Sequence, residues 1–140
     1  MRVGIIGLGF RLGYLGETFR DIDPHFEIVG YFDPEPAGLQ QLERAGISPG
    51  QRFDSPEAVI ASKSLDLLMI GSPNHLHLDH IRIGLEAGLK VFSEKPIVAS
   101  VEESYELARL LAKHTAVRFK SPAQGEPSAW GRLRVASVGF

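Results

Sequence analysis

Apolar residues fall in short unbroken runs separated by stretches of helical spacing. Val3, Ile5 and Ile6 form the first run, Phe26, Ile28, Val29, Tyr31 and Phe32 the second, Leu67 to Ile70 the third, and Val91-Phe92 the last. Runs without polar alternation suit strands covered on both faces, as in a parallel sheet. Between them, Leu12, Leu15 and Phe19 mark a helix from about Arg11 that ends before Asp21-Ile22-Asp23-Pro24. Leu39, Leu42 and Ala45 mark a second that stops at Gly46, and Ser55-Pro56-Glu57 caps a short third through Ile60. Leu78, Ile81 and Leu85 line a helix closed by Gly88, and Ser100 with Glu103 forms a capping box for one carrying Leu107, Leu110 and Leu111. Strand-helix alternation with short connections predicts right-handed crossovers and an α/β, doubly wound parallel sheet.

A glycine-rich turn follows the first run. Gly7 and Gly9 let the backbone turn sharply and bring a pyrophosphate close to the amides that open the next helix, so Gly7, Leu8, Gly9, Phe10 and Arg11 are the expected cradle. The fingerprint G-x-G-x-x-G would place its third glycine at position 12, where this chain has Leu12, with Gly13 one residue late. Asp33, at the end of the second run, is placed to accept from ribose hydroxyls. No Arg or Lys occurs in Pro34-Glu35-Pro36 to meet a 2′-phosphate, so NAD is expected over NADP.

A length of 140 residues with 44% hydrophobic and 23% charged residues allows one ordinary domain with a core, and no second full one. A net charge of −2 gives no general attraction to nucleic acid or to an anionic membrane. No stretch reaches the ~18 apolar residues of a membrane span, and a cytoplasmic protein is expected. With no cysteine, disulfides and thiolate metal sites are excluded. The charge is uneven: residues 113–140 sum to +4 and residues 1–112 to −6. Residues 1–120 are expected to form the domain and residues 121–140 a basic tail containing Pro and Gly. Thr115–Phe119 and Leu133–Val138 are candidate further strands.

In open α/β sheets ligands sit beyond the carboxyl ends of the strands. Two further strand ends carry Gly71-Ser72-Pro73-Asn74-His75-Leu76-His77 and Val91-Phe92-Ser93-Glu94-Lys95-Pro96. Together they resemble the N-terminal half of the glucose-fructose oxidoreductase, inositol dehydrogenase and rhizopine-catabolism (Gfo/Idh/MocA) family over residues 2 to about 112. The resemblance implies a Rossmann domain binding a nicotinamide coenzyme, and oxidation of sugar or polyol hydroxyls or reduction of the carbonyls. By motif, Gly7 and Gly9 would pack against the pyrophosphate, Asp33 would hold the adenosine ribose, and Ser72, Pro73, Asn74 and His77 would line the coenzyme. Glu94 would face the second ribose and Lys95 would reach the substrate oxygen.

Hydride transfer leaves or consumes an alkoxide-like oxygen that needs a nearby cation or proton donor, which makes Lys95 the candidate catalytic residue. Outside that motif, Lys95 would read as an ordinary partner of Glu94. His75, His77, Asp79 and His80 do not converge as three ligands on one helix face, so no metal is expected. Tyr14 and Tyr31 are read as packing residues.

The family's second, α+β domain supplies the substrate pocket and commonly an Asp and a His. This chain has no Asp after Asp79 and only His114 after His80. A truncated reading frame, a frameshift or an isolated domain would each account for that. The alternatives to an NAD-dependent oxidoreductase are a non-catalytic nucleotide- or partner-binding module and another Rossmann-like enzyme, against which Glu94-Lys95-Pro96 argues. Apolar surface left bare by a missing domain would favour self-association.

Overall fold

The computed structural model describes residues 1–62 and 64–116. Five parallel strands, β1 (Arg2–Ile6), β2 (Glu27–Phe32), β3 (Gln51–Arg52), β4 (Leu67–Ile70) and β5 (Lys90–Ser93), form one sheet in the order β3-β2-β1-β4-β5. The helices are α1 (Phe10–Ile22), α2 (Leu39–Arg44), α3 (Pro56–Ala61), α4 (His77–Glu86) and α5 (Val101–Ala116). This is the Rossmann-like doubly wound sheet. The chain runs outward from β1 to β3, then crosses back to lay β4 on the other side of β1, so the switch point falls between β1 and β4.

The unbroken apolar runs reflect burial on both faces. Val3 and Ile5 of β1, Leu67 and Met69 of β4 and Phe92 of β5 point into one core with Leu12 and Leu42. Ile6, Leu68, Ile70 and Val91 point into the other with Leu78, Ile81, Leu85, Leu107 and Leu110. Strand period 2 sorts successive side chains to opposite faces. Leu68 and Met69 are both fully buried, and truncating either to Ala is expected to cost about 2–5 kcal/mol. Phe19 stacks on Phe26 with ring centroids 5.8 Å apart and meets Phe92 edge-on at 6.1 Å. The first half of the capping box forms, with Ser100 Oγ accepting the Glu103 N–H at 3.1 Å, but the Glu103 carboxylate accepts from Ala99 N, one residue before the cap, at 2.6 Å.

Several expectations need correction. Helix α1 continues through Ile22 rather than ending before Asp21, with the Asp23 N–H still donating to Phe19 O. The strand β3, two exposed residues long, was not expected. Thr115 and Ala116, expected to open a strand, end α5 instead; residues 117–119, the Leu133–Val138 strand and the 121–140 tail lie outside the described residues. Tyr31 is buried as a packing residue, but Tyr14 is 57% exposed. Among the described residues no helix is long and apolar enough to cross a membrane.

Candidate cofactor site

The carboxyl end of β1 turns at Gly7, whose φ of +84° lies in the left-handed region. A Cβ there would stand 2.2 Å from the Ser72 backbone nitrogen, so the turn is wedged against the exit of β4. Gly7 N donates to Phe32 O at 2.8 Å and Gly71 N to Ile6 O at 2.8 Å, which knits the three strand ends together. The residue at the fingerprint's third glycine position, Leu12, is fully buried, and the missing space is recovered on the facing strand. A Cβ on Gly71 would meet Leu12 Cγ and Cδ1 at 2.7 Å. The pattern departs from the fingerprint, but a large residue has exchanged places with a small one.

Gly9 differs from Gly7. It is extended at φ −76° and ψ 176°, and a Cβ built on it meets nothing within 4 Å. No side chain caps α1 there, and no acid stands in its first turn, unlike α3, whose Ser55 Oγ accepts from Ala58 N at 3.2 Å. A helix start of this kind, with its positive dipole end, no side-chain cap and open space beside Gly9, fits a pyrophosphate. The side chain of Leu8, by contrast, is fully buried, so only its backbone faces the turn; Phe10 and Arg11 are exposed.

The loop after β2 is tied onto this turn, with Gly38 N donating to Leu8 O at 2.9 Å. It carries Asp33, whose Oδ1 accepts the Glu35 N–H at 2.7 Å. The other carboxylate oxygen has no recorded donor among the described residues and fits a ribose hydroxyl. Sequence reasoning missed a cation here: Arg52, on β3, donates from Nη2 to Asp33 O and to Pro34 O, both at 3.2 Å. Its signal lay in the sheet order, which brings a residue nineteen positions away to the β2 exit.

On the other side of the switch point, Ser72, Pro73 and Asn74 leave β4 and enter a single 3-10 turn, Asn74–Leu76. Ser72 Oγ lies 2.8 Å from His80 Nδ1. His80 is 9% exposed; burial first, and next the neighbouring His77 ring, hold it below the ordinary histidine value, against the pull of Asp79 and Glu57. His77, expected at the coenzyme's edge, is 1% exposed and holds two backbone carbonyls, Ser72 O at 2.7 Å and Pro96 O at 2.8 Å.

At the β5 exit Glu94 N donates to Ile70 O at 2.8 Å. The Glu94 carboxylate pairs with Arg11, Nε to Oε1 at 3.3 Å, rather than with the Lys95 ammonium. That ion pair joins the first turn of α1 to the β5 exit. Lys95 is exposed, and its peptide bond to Pro96 is cis. Among the described residues no group of three His, Cys, Asp or Glu side chains could hold a metal ion.

A glycine turn wedged against β4, an uncapped helix start, an acid at the β2 exit and polar residues at the β4 and β5 exits together define a dinucleotide-binding Rossmann domain. The chain belongs to the Gfo/Idh/MocA oxidoreductase family: the model of that family, described as having an NAD-binding Rossmann fold, matches residues 1–120. D-glucoside 3-dehydrogenase of Escherichia coli is 31% identical over 123 residues, covering 85% of this chain and 34% of that enzyme. D-xylose 1-dehydrogenase (NADP(+)) 2 of Haloferax volcanii is 44% identical over 52 residues, covering 37% of this chain and 16% of that enzyme. Among solved structures, scyllo-inositol dehydrogenase from Lactobacillus casei with bound NAD(H) and scyllo-inositol superposes with a TM-score of 0.65 at 30% identity, covering 83% of this chain and 34% of that one. The chain thus spans about a third or less of the length of these relatives.

Proposed function

We propose that this chain is the coenzyme-binding part of an NAD(H)-dependent dehydrogenase that acts on a sugar or polyol hydroxyl. What supports the proposal is that Gly9, Asp33, Ser72, Glu94 and Lys95 all follow the carboxyl ends of the neighbouring parallel strands β1, β2, β4 and β5. Amides from Gly9 through Arg11 hold the pyrophosphate, and Asp33 takes the adenosine ribose hydroxyls. Ser72, Pro73 and Asn74 line the nicotinamide end, where Glu94 faces the second ribose. When bound, the nicotinamide supplies or accepts the hydride. Lys95 stands at the rim, where its ammonium can stabilise the substrate oxygen or exchange a proton with it as charge develops. NAD(H) is favoured because a 2′-phosphate would meet the Asp33 carboxylate, with Glu35 close behind it, a repulsion that the Arg52 guanidinium on Asp33 O and Pro34 O offsets only in part.

Titration with NADH and NADPH, followed by coenzyme fluorescence, tests this directly. Saturable binding with NADH tighter is expected, and binding of neither would refute it. A second reading is a nucleotide-binding module without turnover, in which Lys95 is an exposed strand-end residue and not a catalytic one. Hydride transfer assayed against a panel of sugars and polyols separates the two, since NADH binding with no turnover supports the module.

A further inference from the structure

His77 stands at the first position of α4 with its ring between two loops. Nε2 lies 2.7 Å from Ser72 O and Nδ1 lies 2.8 Å from Pro96 O, at 1% exposure. A carbonyl oxygen only accepts, so satisfying both contacts takes an N–H on each ring nitrogen, and only the imidazolium carries two. A neutral ring would set a nitrogen lone pair against a carbonyl lone pair where there is no room for water to intervene. Two charge-assisted hydrogen bonds offset the burial of the cation. Ser72 is held a second time through its hydroxyl, 2.8 Å from His80 Nδ1.

We infer that His77, carried as an imidazolium, is a positioning residue that bolts the Ser72–Asn74 loop to the Glu94–Pro96 loop and so fixes where the Lys95 ammonium stands. It does this without touching coenzyme or substrate, because both ring nitrogens are already spent on backbone carbonyls. Pro96 immediately follows Lys95, so the bolt acts one residue from the side chain it aims. The importance of aiming Lys95 rests on the coenzyme reading above; the bolt does not.

The ring state is read on the wild-type chain by long-range proton–nitrogen NMR of its histidines. Facing two carbonyl oxygens, both nitrogens of His77 are expected to carry protons, and one bare nitrogen would overturn the inference. The bolt is read by amide relaxation at Glu94, Lys95 and Ile97 in His77→Phe and His77→Gln. His77→Phe is expected to free these amides while shifts at the β1 and β2 amides stay in place, and His77→Gln, which still donates, to restore part of their order. Unchanged relaxation in both variants overturns the positioning role. So does loss of the dispersed spectrum throughout, which would make His77 a general folding residue. Wild-type chain that shows the bolt yet binds neither NADH nor NADPH would fail the coenzyme reading alone.

Discussion

Gly7 and Gly9 stand two residues apart in one turn, yet the structure assigns them different sensitivities. Gly9 is extended, a conformation alanine adopts freely, and the added Cβ meets nothing within 4 Å. Gly9→Ala should therefore leave stability within about 0.5 kcal/mol of wild type. Under the proposed placement of the pyrophosphate, the new methyl would occupy the space through which a phosphate approaches the α1 start. Losing one such charge-assisted bond is worth about 1.5–3 kcal/mol, and tenfold in affinity is about 1.4 kcal/mol, so the NADH dissociation constant should rise at least about tenfold. Gly7→Ala has the opposite character. Its φ of +84° costs a Cβ-bearing residue about 1–2 kcal/mol, and the approach to the Ser72 nitrogen adds about 1–3 kcal/mol of overpacking. Against a typical stability of about 5–15 kcal/mol, a fall in Tm on the order of 10 °C follows. Thermal unfolding by circular dichroism and NADH titration of both variants make the comparison. Gly9→Ala binding NADH like wild type with an unchanged Tm would refute the placement of the pyrophosphate.

Lys95→Ala is expected to keep NADH affinity within about twofold and to abolish any hydride transfer, because the proposed function gives the exposed ammonium to the reacting oxygen and not to the coenzyme; a large loss of NADH binding with an intact fold would count against that role. Arg52→Ala should weaken NADPH more than NADH, since its guanidinium is held on the backbone carbonyl of Asp33, the residue proposed to take the adenosine ribose, and titrations showing equal losses would remove Arg52 from coenzyme choice. His80 is held below its ordinary value of 6.5, so the unfolded chain binds more protons there than the folded one. Its contribution to stability is complete above about 6.5 and is lost as pH falls through the lower folded value; Tm measured against pH should show a loss that His80→Asn reduces, and an identical pH profile in the variant would contradict this.

Most of the fold was legible because doubly buried strands write themselves as unbroken apolar runs, as Leu67 to Ile70 does. Gly46 and Gly88 both adopt positive φ where the helices were expected to stop. What the sequence concealed was tertiary. The strand β3 has two exposed residues and no apolar signature, so the path that brings Arg52 to Asp33 could not be read from Pro34-Glu35-Pro36 alone. The exchange of Leu12 for Gly71 across two elements made an intact turn look defective. Glu94 and Lys95 are sequence neighbours that seemed natural partners, but the carboxylate reaches Arg11, 83 positions away. His77 reads as a polar residue at the start of a helix, and only the packing shows that both its nitrogens are engaged inward.

The proposed coenzyme crevice lies between the β1 and β4 exits. A second concavity of about 220 Å³, lined by Arg20, Phe26, Ile28 and Ile47 at the amino ends of β2 and β3, offers a built-in control. Chemical-shift mapping of labelled protein titrated with NADH compares the two places in one experiment. Saturating shifts at the amides of Gly7, Gly9, Phe10, Asp33, Ser72 and Glu94, with Phe26 and Ile28 unmoved, are the predicted result. Shifts confined to the second concavity, or none at either place, would contradict the account.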